Sequence, residues 1–139
     1  MAQVDIKKIV DKTKVFAVVG ASNDEQKYGY KMFKLLKESG YKVYPVNPNR
    51  DKVQGEKSYP TLADLPEKPS VVSVITPPSV SNKILDQALE IGVDKIWFQP
   101  GSEDEKIKEK SKEHPGKIIH NMCLLTTLMF KDQLENGVG

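Results

Sequence analysis

Cysteine and arginine are nearly absent from this chain of 139 residues, which contains only Cys123 and Arg50 of these two types. A single cysteine excludes an internal disulfide bond and is typical of proteins in a reducing compartment. No apolar run approaches the roughly 18 residues of a membrane span. Residues 1–14 also lack the uninterrupted apolar segment of a signal peptide. We therefore expect a cytoplasmic protein that does not enter the membrane.

An excess of charge of one sign is also missing. The 21 basic and 19 acidic residues are mixed along the chain and leave a formal net charge of +2, without the basic stripe that follows a nucleic-acid backbone. We therefore expect no nucleic-acid ligand. A chain of this length forms one domain with one core, and the sequence shows no internal linker or repeat. We assign residues 1–139 to a single domain, which leaves no room for a separate catalytic domain.

Helix-like segments that end at a glycine and pass directly into an apolar strand recur three times, at Gly40, Gly92 and Gly116. Glycine ends helices because it adopts the left-handed conformation readily. The strands alternate poorly, as expected for strands buried on both faces of a parallel sheet. We predict five of them: Val15–Val19, Tyr41–Val46, Val71–Ile75, Lys95–Phe98 and Lys117–His120. This pattern indicates an α/β fold, a doubly wound, Rossmann-like parallel sheet of about five strands with helices on both faces.

Capping residues help to place two of the helices. Ser79 is expected to cap the helix that follows the third strand, and Ser102 with Glu105 has capping-box spacing before a helix that runs to about His114. Other segments are predicted from their patterns: helices over 1–12, Tyr30–Ser39 and 124–134, and a short excursion with a turn near Pro60 over Glu56–Leu65.

The charged stretch Glu103–Glu113 invites a functional interpretation, but a structural one is simpler. It contains pairs at helical neighbour spacing, Asp104 with Lys108 and Glu109 with Lys112. Such pairs contribute tenths of a kcal/mol on a solvated helix face. We therefore interpret this stretch as an outer helix surface.

Residues just after each strand are the candidates for a binding site, because ligands of open α/β sheets lie beyond the carboxyl ends of the strands. After the first strand, a glycine and a polar loop lead to a helix whose first N–H groups can face an anion. A loop and a helix start of this kind are typical of a site that binds a pyrophosphate group. The candidate binding residues are Gly20, Ala21, Ser22, Lys27, Tyr28, Gly29, Asn47, Pro48, Asn49, Arg50, Thr76, Pro77, Pro78, Gln99, Gly101 and Cys123.

Departures from the dinucleotide fingerprint bear on the kind of nucleotide. G-x-G-x-x-G requires glycine where this chain has Ser22 and Glu25, and an acid where it has Asn47. An ordinary NAD site is therefore disfavoured. Arg50 follows the second strand. Its side chain is either an ordinary surface cation or a guanidinium group that binds two oxygens of a ribose phosphate. Both NADP and coenzyme A carry such a phosphate.

Five short motifs occur in order at or after the ends of the first four predicted strands: Val-Val-Gly20-Ala-Ser22, Lys27-Tyr28-Gly29, Tyr-Pro-Val-Asn47-Pro48, Ile-Thr76-Pro77-Pro78 and Trp97-Phe-Gln99-Pro-Gly101. Together, and over roughly Thr13 to Cys123, they resemble the stand-alone CoA-binding domain proteins. That domain is similar to the N-terminal domain of succinyl-CoA synthetase alpha subunits.

The resemblance implies a Rossmann-like domain that binds coenzyme A. The Gly20–Ser22 loop and the Lys27–Gly29 turn would surround the phosphates. The segment Asn47–Arg50 would lie near the adenosine end, and Thr76–Pro78 would line the path of the pantetheine arm.

Catalytic candidates are few. His114 is expected at a helix end on the surface, and His120 is more often a packed or hydrogen-bonded side chain than a catalyst at such a position. Cys123 is either a buried small side chain or a reactive thiol. No metal spacing, nucleophile elbow or P-loop is present.

We therefore predict a binding protein for coenzyme A or an acyl-CoA, non-catalytic, in a carrier, sensor or regulatory role, with a protein partner or a homo-oligomer left open. Two alternatives remain: an NADP-dependent oxidoreductase, and an accessory CoA-binding subunit that completes an acyl-CoA synthetase.

Overall fold

Our computed structural model describes residues 14–120 of the chain. Within this range the strands are β1 Val15–Val19, β2 Lys42–Val46, β3 Lys52–Val53, β4 Glu56–Lys57, β5 Val71–Val74, β6 Lys95–Phe98 and β7 Ile118–Ile119. Five of them form one parallel sheet in the order β2-β1-β5-β6-β7. The expected fold class and the five predicted strands of the sheet are confirmed.

Within residues 14–120, three α-helices connect strands of the sheet: α1 Tyr28–Glu38, α2 Pro78–Ile91 and α3 Glu105–Glu113. The glycines that end the predicted helical segments all have positive φ, with 89° at Gly40, 85° at Gly92 and 79° at Gly116. The expected helix-to-strand junctions are therefore present.

Alternate residues of β1 point to opposite faces of the sheet and build two cores. Phe16 and Val18 belong to one buried cluster with Phe33 of α1, whereas Ala17 and Val19 belong to a second cluster with Leu85 of α2. Because both faces are covered by helices, β1 is apolar over all five of its residues, Val15–Val19. Trp97 on β6 is fully buried in the first cluster and is thus a core residue.

Several predicted boundaries and caps are wrong by a few residues. Helix α1 begins at Tyr28 rather than Tyr30, and β2 begins at Lys42. Ser79 does not cap α2, because the helix already begins at Pro78 with Pro77 at the N-cap. Proline fits the first helical position since it lacks the N–H that would be unsatisfied there.

The cap of α3 also differs from the prediction. Asp104 occupies the N-cap, and its Oδ1 accepts a hydrogen bond from the Ile107 N–H at 3.1 Å. The predicted capping box of Ser102 with Glu105 is therefore wrong, because the helix starts two residues later. Lys108 pairs with Glu105 rather than with Asp104. The pair of Lys112 with Glu109 is confirmed at 3.3 Å.

A two-stranded antiparallel hairpin, β3–β4, follows β2 and precedes a 3-10 helix at Leu62–Asp64. Its turn is formed by Gln54 and Gly55, with φ of 50° and 81°. The predicted excursion over Glu56–Leu65 starts too late, because strands of two residues carry no readable periodicity. Val53 is fully buried and anchors the hairpin in the first core cluster.

The predicted helices over 1–12 and 124–134, and Cys123, lie outside the described residues. No helix within residues 14–120 is both long enough and apolar enough to cross a membrane. In the same range no group of three or more histidine, cysteine or acidic side chains could hold a metal ion.

Candidate functional site

A cleft of about 740 Å³ opens at the carboxyl ends of β1, β2 and β5. From β1 the chain passes through α1 to β2 on one side, and then crosses β1 to reach β5 on the other side. The connections after β1 and β5 therefore diverge, which leaves a crevice where parallel sheets bind ligands. The volume lies within the usual range of small-molecule sites, about 300–1,000 Å³.

Two glycines allow the β1–α1 loop, residues 20–27, to pack tightly at the base of this cleft. Gly20 has φ of 97°, and a Cβ there would lie 2.0 Å from the Ile75 carbonyl oxygen. A Cβ at Gly29 would lie 2.0 Å from the Gly20 carbonyl oxygen. Both glycines are therefore needed for backbone packing within the protein itself, because their hydrogens face neighbouring carbonyl groups.

Hydrogen bonds from β2 hold the β1–α1 loop in place. The Gly20 N–H donates to the Val46 carbonyl at 3.1 Å, and the Asn47 side-chain amide donates to the Ala21 carbonyl at 2.9 Å. The Asn47 Oδ1 accepts from the Asn49 N–H at 2.8 Å. Asn47 stands where a dinucleotide site has its ribose-binding acid, and here its side chain organises the loops.

Two helices begin at the rim of the cleft, and their first turns share a composition. Neither α1 nor α2 has a side-chain cap or an acidic residue in its first turn within the described part of the chain. By contrast, α3, which does not line the cleft, has both Asp104 as cap and Glu105 in the first turn. Helix N-termini attract anions, and an acid there would repel them. The cleft helices are thus the ones left open to an anion.

The charge of the cleft wall points the same way. Lys27 and Lys83 line it, and none of the described lining residues is acidic. The same lining contains no histidine and no cysteine among residues 14–120. The chemistry that this wall offers is the binding of an anionic ligand with an apolar portion.

One face of α2 forms a wall that the sequence analysis did not include. Val80, Lys83, Ile84 and Gln87 follow at helical spacing and line the cleft, opposite Pro60 and Thr61. Val80 is 41% exposed and is the large apolar side chain that residues 14–120 leave exposed. Val80 lies in the first turn of a helix that begins at a strand end. An apolar residue at such a position is the sequence feature from which this wall could have been predicted.

Most of the candidate binding residues meet in this cleft. The lining includes Gly20, Ala21, Ser22, Lys27, Tyr28, Gly29, Asn47, Pro48, Asn49, Thr76 and Pro77. Arg50, Pro78, Gln99 and Gly101 are not part of the lining, so a binding role for them stays a prediction. Gln99 and Gly101 follow β6, which lies beyond β5 and away from the switch point.

His120 follows the edge strand β7 and lies against α3, away from the cleft lining. Its Nε2 lies 3.3 Å from the Ser111 hydroxyl oxygen. This contact fits the interpretation of His120 as a packed, hydrogen-bonded side chain.

The groups with shifted pKa values lie outside the cleft lining. Lys42 and Tyr44, both on β2, contact the Glu67 carboxylate. A hydrogen bond from Lys42, joined by one from Tyr44, lowers the pKa of Glu67. The Ile107 N–H lowers the pKa of Asp104 by donating to its carboxylate.

Curated relatives of this chain include parts of CoA ligases and a small protein. The chain is 38% identical over 119 residues to the alpha subunit of acetate–CoA ligase [ADP-forming] II from Pyrococcus furiosus, covering 78% of this chain and 26% of that subunit. It is 26% identical to the uncharacterized protein YneT of Bacillus subtilis, covering 88% and 91% of the two chains. The chain therefore spans about a quarter of the ligase subunit and most of the small protein.

Solved structures share the same architecture. A hypothetical protein from Pyrococcus horikoshii OT3 superimposes with a TM-score of 0.81 and 31% identity, covering 91% of this chain and 96% of that chain. A family model described as CoA binding domain matches residues 14–129. The chain belongs to this family of CoA-binding domains.

Proposed function

We propose that this chain binds coenzyme A, or an acyl-CoA, in the cleft at the carboxyl ends of β1, β2 and β5. The observation that carries the proposal is the charge of the cleft. Two lysines and two helix N-termini without caps border a wall whose described residues include no acid. Membership of the CoA-binding family supports coenzyme A as the anionic ligand.

The pyrophosphate is assigned to the first turn of α1. Lys27 precedes this helix and lines the cleft, and the β1–α1 loop approaches the same point. The backbone N–H groups of a first helical turn bind phosphate oxygens, and the helix dipole favours their charge.

The apolar portions of the ligand are assigned to the rest of the wall. Thr76 and Pro77 would face the pantetheine arm, and Asn47–Asn49 the adenosine end. Val80 and Ile84 add apolar surface, whose burial against a ligand contributes about 25 cal/mol per Å².

Titration calorimetry with coenzyme A, NADP and NAD tests the proposal. We expect coenzyme A to bind most tightly, because the ribose-binding acid of an NAD site is replaced by Asn47, whose side chain already holds the Ala21 carbonyl. Tighter binding of NAD would refute the proposal, and tighter binding of NADP would favour an oxidoreductase.

A lysine pair gives a matched control for the site. Lys27 lines the cleft, whereas Lys34 lies in the second turn of α1, outside the cleft lining, and is paired with Glu38 at 3.9 Å. Lys27→Gln should weaken coenzyme A binding by about 1–2 kcal/mol, the usual contribution of a charge-assisted contact, and Lys34→Gln should leave it unchanged. Equal losses would assign the effect to net charge alone.

An accessory role beside a second chain is supported by the relative that is named as a ligase subunit. We propose that the bound CoA is presented to a partner that carries out the chemistry, and that this chain is not itself catalytic. Size-exclusion chromatography of a native extract tests this: co-elution with a chain that contains the remaining ligase domains supports it, and elution without such a chain contradicts it.

A further inference from the structure

Gln54 occupies a backbone conformation that its residue type disfavours. It is the non-glycine residue of positive φ in the described chain, at 50°, and it shares the β3–β4 turn with Gly55 at 81°. Two-residue turns with positive φ at both central positions favour asparagine, aspartate or glycine at the first. Glutamine at this position departs from the preference of the turn, and its contacts give a reason.

The side chain of Gln54 joins the two parts of the chain that shape the proposed phosphate site. Its Nε2 donates to the Tyr30 carbonyl in the first turn of α1 at 3.0 Å and to the Ser22 carbonyl in the β1–α1 loop at 3.3 Å. One amide group therefore holds the loop and the start of the helix at a set separation.

The backbone of the hairpin reinforces the same contact. The Gln54 N–H donates to the Asn23 Oδ1 at 2.7 Å, and the Asn23 amide donates to the Lys52 carbonyl at 3.0 Å. The hairpin itself is fixed, because Val53 is fully buried and Lys37 of α1 pairs with Glu56 at 2.8 Å. The loop is thus braced from a rigid element that does not line the cleft.

We propose that Gln54 is a positioning residue that preorganises the anion-binding end of the cleft. The inference rests on the proposed function. A loop that is ordered before the ligand arrives avoids the entropy cost of ordering it on binding. Removal of the amide should therefore lower ligand affinity even where it does not lower the stability of the fold.

Gln54→Gly separates these two effects. Glycine suits a positive φ, so the turn loses its strain and the melting temperature should stay the same or rise. Affinity for coenzyme A, measured by calorimetry, should fall by about fivefold, because the amide that donates to Ser22 and Tyr30 is lost. Amide exchange of residues 21–24 in the ligand-free protein should become faster.

Glu56→Gln is the matched control on the same hairpin. It removes the ion pair with Lys37 and leaves the side-chain contacts of Gln54 with Ser22 and Tyr30 intact, so affinity and loop exchange should match those of the wild type.

Affinity of the Gln54→Gly variant within twofold of the wild type, or unchanged loop exchange, would overturn the positioning role. A lower melting temperature with unchanged affinity would make Gln54 a purely structural residue. Absence of coenzyme A binding by the folded wild type would instead refute the proposed function, and the affinity claim with it.

Discussion

Gly29 lies where the first turn of α1 touches the loop that follows β1, and its role differs from that of an ordinary turn glycine. It is buried, and a Cβ would approach the Gly20 carbonyl oxygen to 2.0 Å. Gly20 combines such a contact with a φ of 97°, whereas Gly55 has a φ of 81° and open space around it. Substitution of Gly55 therefore tests backbone strain alone, substitution of Gly29 tests steric contact alone, and substitution of Gly20 tests both together.

Alanine at these positions should destabilise the protein in a fixed order. We expect Gly55→Ala to cost about 1–2 kcal/mol, the penalty of the left-handed conformation. Gly29→Ala should cost about 2–3 kcal/mol through overpacking against backbone, and Gly20→Ala more than either. Urea denaturation measures all three, and a Gly20→Ala protein as stable as Gly55→Ala would contradict the packing.

Arg50 is exposed and follows the cleft residues Asn47–Asn49 directly. If it holds the ribose phosphate of coenzyme A, Arg50→Ala should weaken coenzyme A binding by about 1.5–3 kcal/mol. Binding of dephospho-CoA should hardly change. Lys52→Ala, two residues away on the hairpin, is the matched control. Equal losses for both ligands would show that Arg50 does not contact that phosphate.

Helix starts are the elements that distinguish the cleft from the rest of the molecule. The two helices at the rim lack caps, and α3 away from it is capped by Asp104, which also accepts from the Asn82 amide at 2.8 Å. A cap stabilises a helix by satisfying its first N–H groups. At the rim, within residues 14–120, no side-chain cap or first-turn acid of α1 or α2 competes with an anionic ligand for the positive end of the helix.

The cap of α3 predicts a specific pH dependence. The pKa of Asp104 is lowered in the folded protein, chiefly by the Ile107 N–H. Its stabilising contribution is therefore complete above the unfolded pKa of about 3.9, and is lost as the pH falls through the lower folded value.

Asp104→Asn should accordingly be less stable than the wild type at pH 7, and this difference should shrink as the pH falls below about 4. Chemical denaturation at a series of pH values measures it. Asp94→Asn, at an exposed turn, serves as the control. A difference that is constant with pH would contradict the role of the Asp104 charge.

At the scale of the whole molecule, a nearly neutral protein contains a local cationic cleft. The net charge is +2, yet the described cleft lining has lysines and no carboxylate. The attraction for an anionic ligand is therefore local rather than a property of the overall charge.

Salt should consequently weaken ligand binding with little effect on the fold. Raising NaCl from about 0.05 M to about 0.5 M screens exposed charges, so the rise in melting temperature produced by coenzyme A should become smaller. The melting temperature of the free protein should change little. Thermal scans with and without ligand measure both, and a ligand effect independent of salt would contradict an electrostatic site.

The sheet could be predicted because its strands are buried on both faces. Val15–Val19 and Lys95–Phe98 were predicted with the boundaries that the structure shows. Helix starts were less accurate. Asp104 caps α3 in place of Ser102, and α2 begins before Ser79, at Pro78, whose ring fits the first helical position. The hairpin was missed, because contacts with α1 and the core form it rather than local periodicity.

For the site, the strand-end rule brought together Gly20, Asn47 and Thr76 from distant parts of the sequence. It also included Gln99 and Gly101, which follow β6 outside the cleft lining and whose binding role stays a prediction. The α2 face with Lys83 and Gln87 was missed because it lies beyond the first turn of its helix.

The sequence by itself determined the fold class and the family, because apolar runs, helix-ending glycines and motifs at strand ends are local features. Only the tertiary structure decided the strand order, and with it which strand ends share the cleft. It alone revealed that Gly20 and Gly29 pack against backbone carbonyl groups, and that Gln54 braces a loop more than thirty residues before it. Such contacts join segments far apart in the chain, and they exist only once the sheet has brought those segments together.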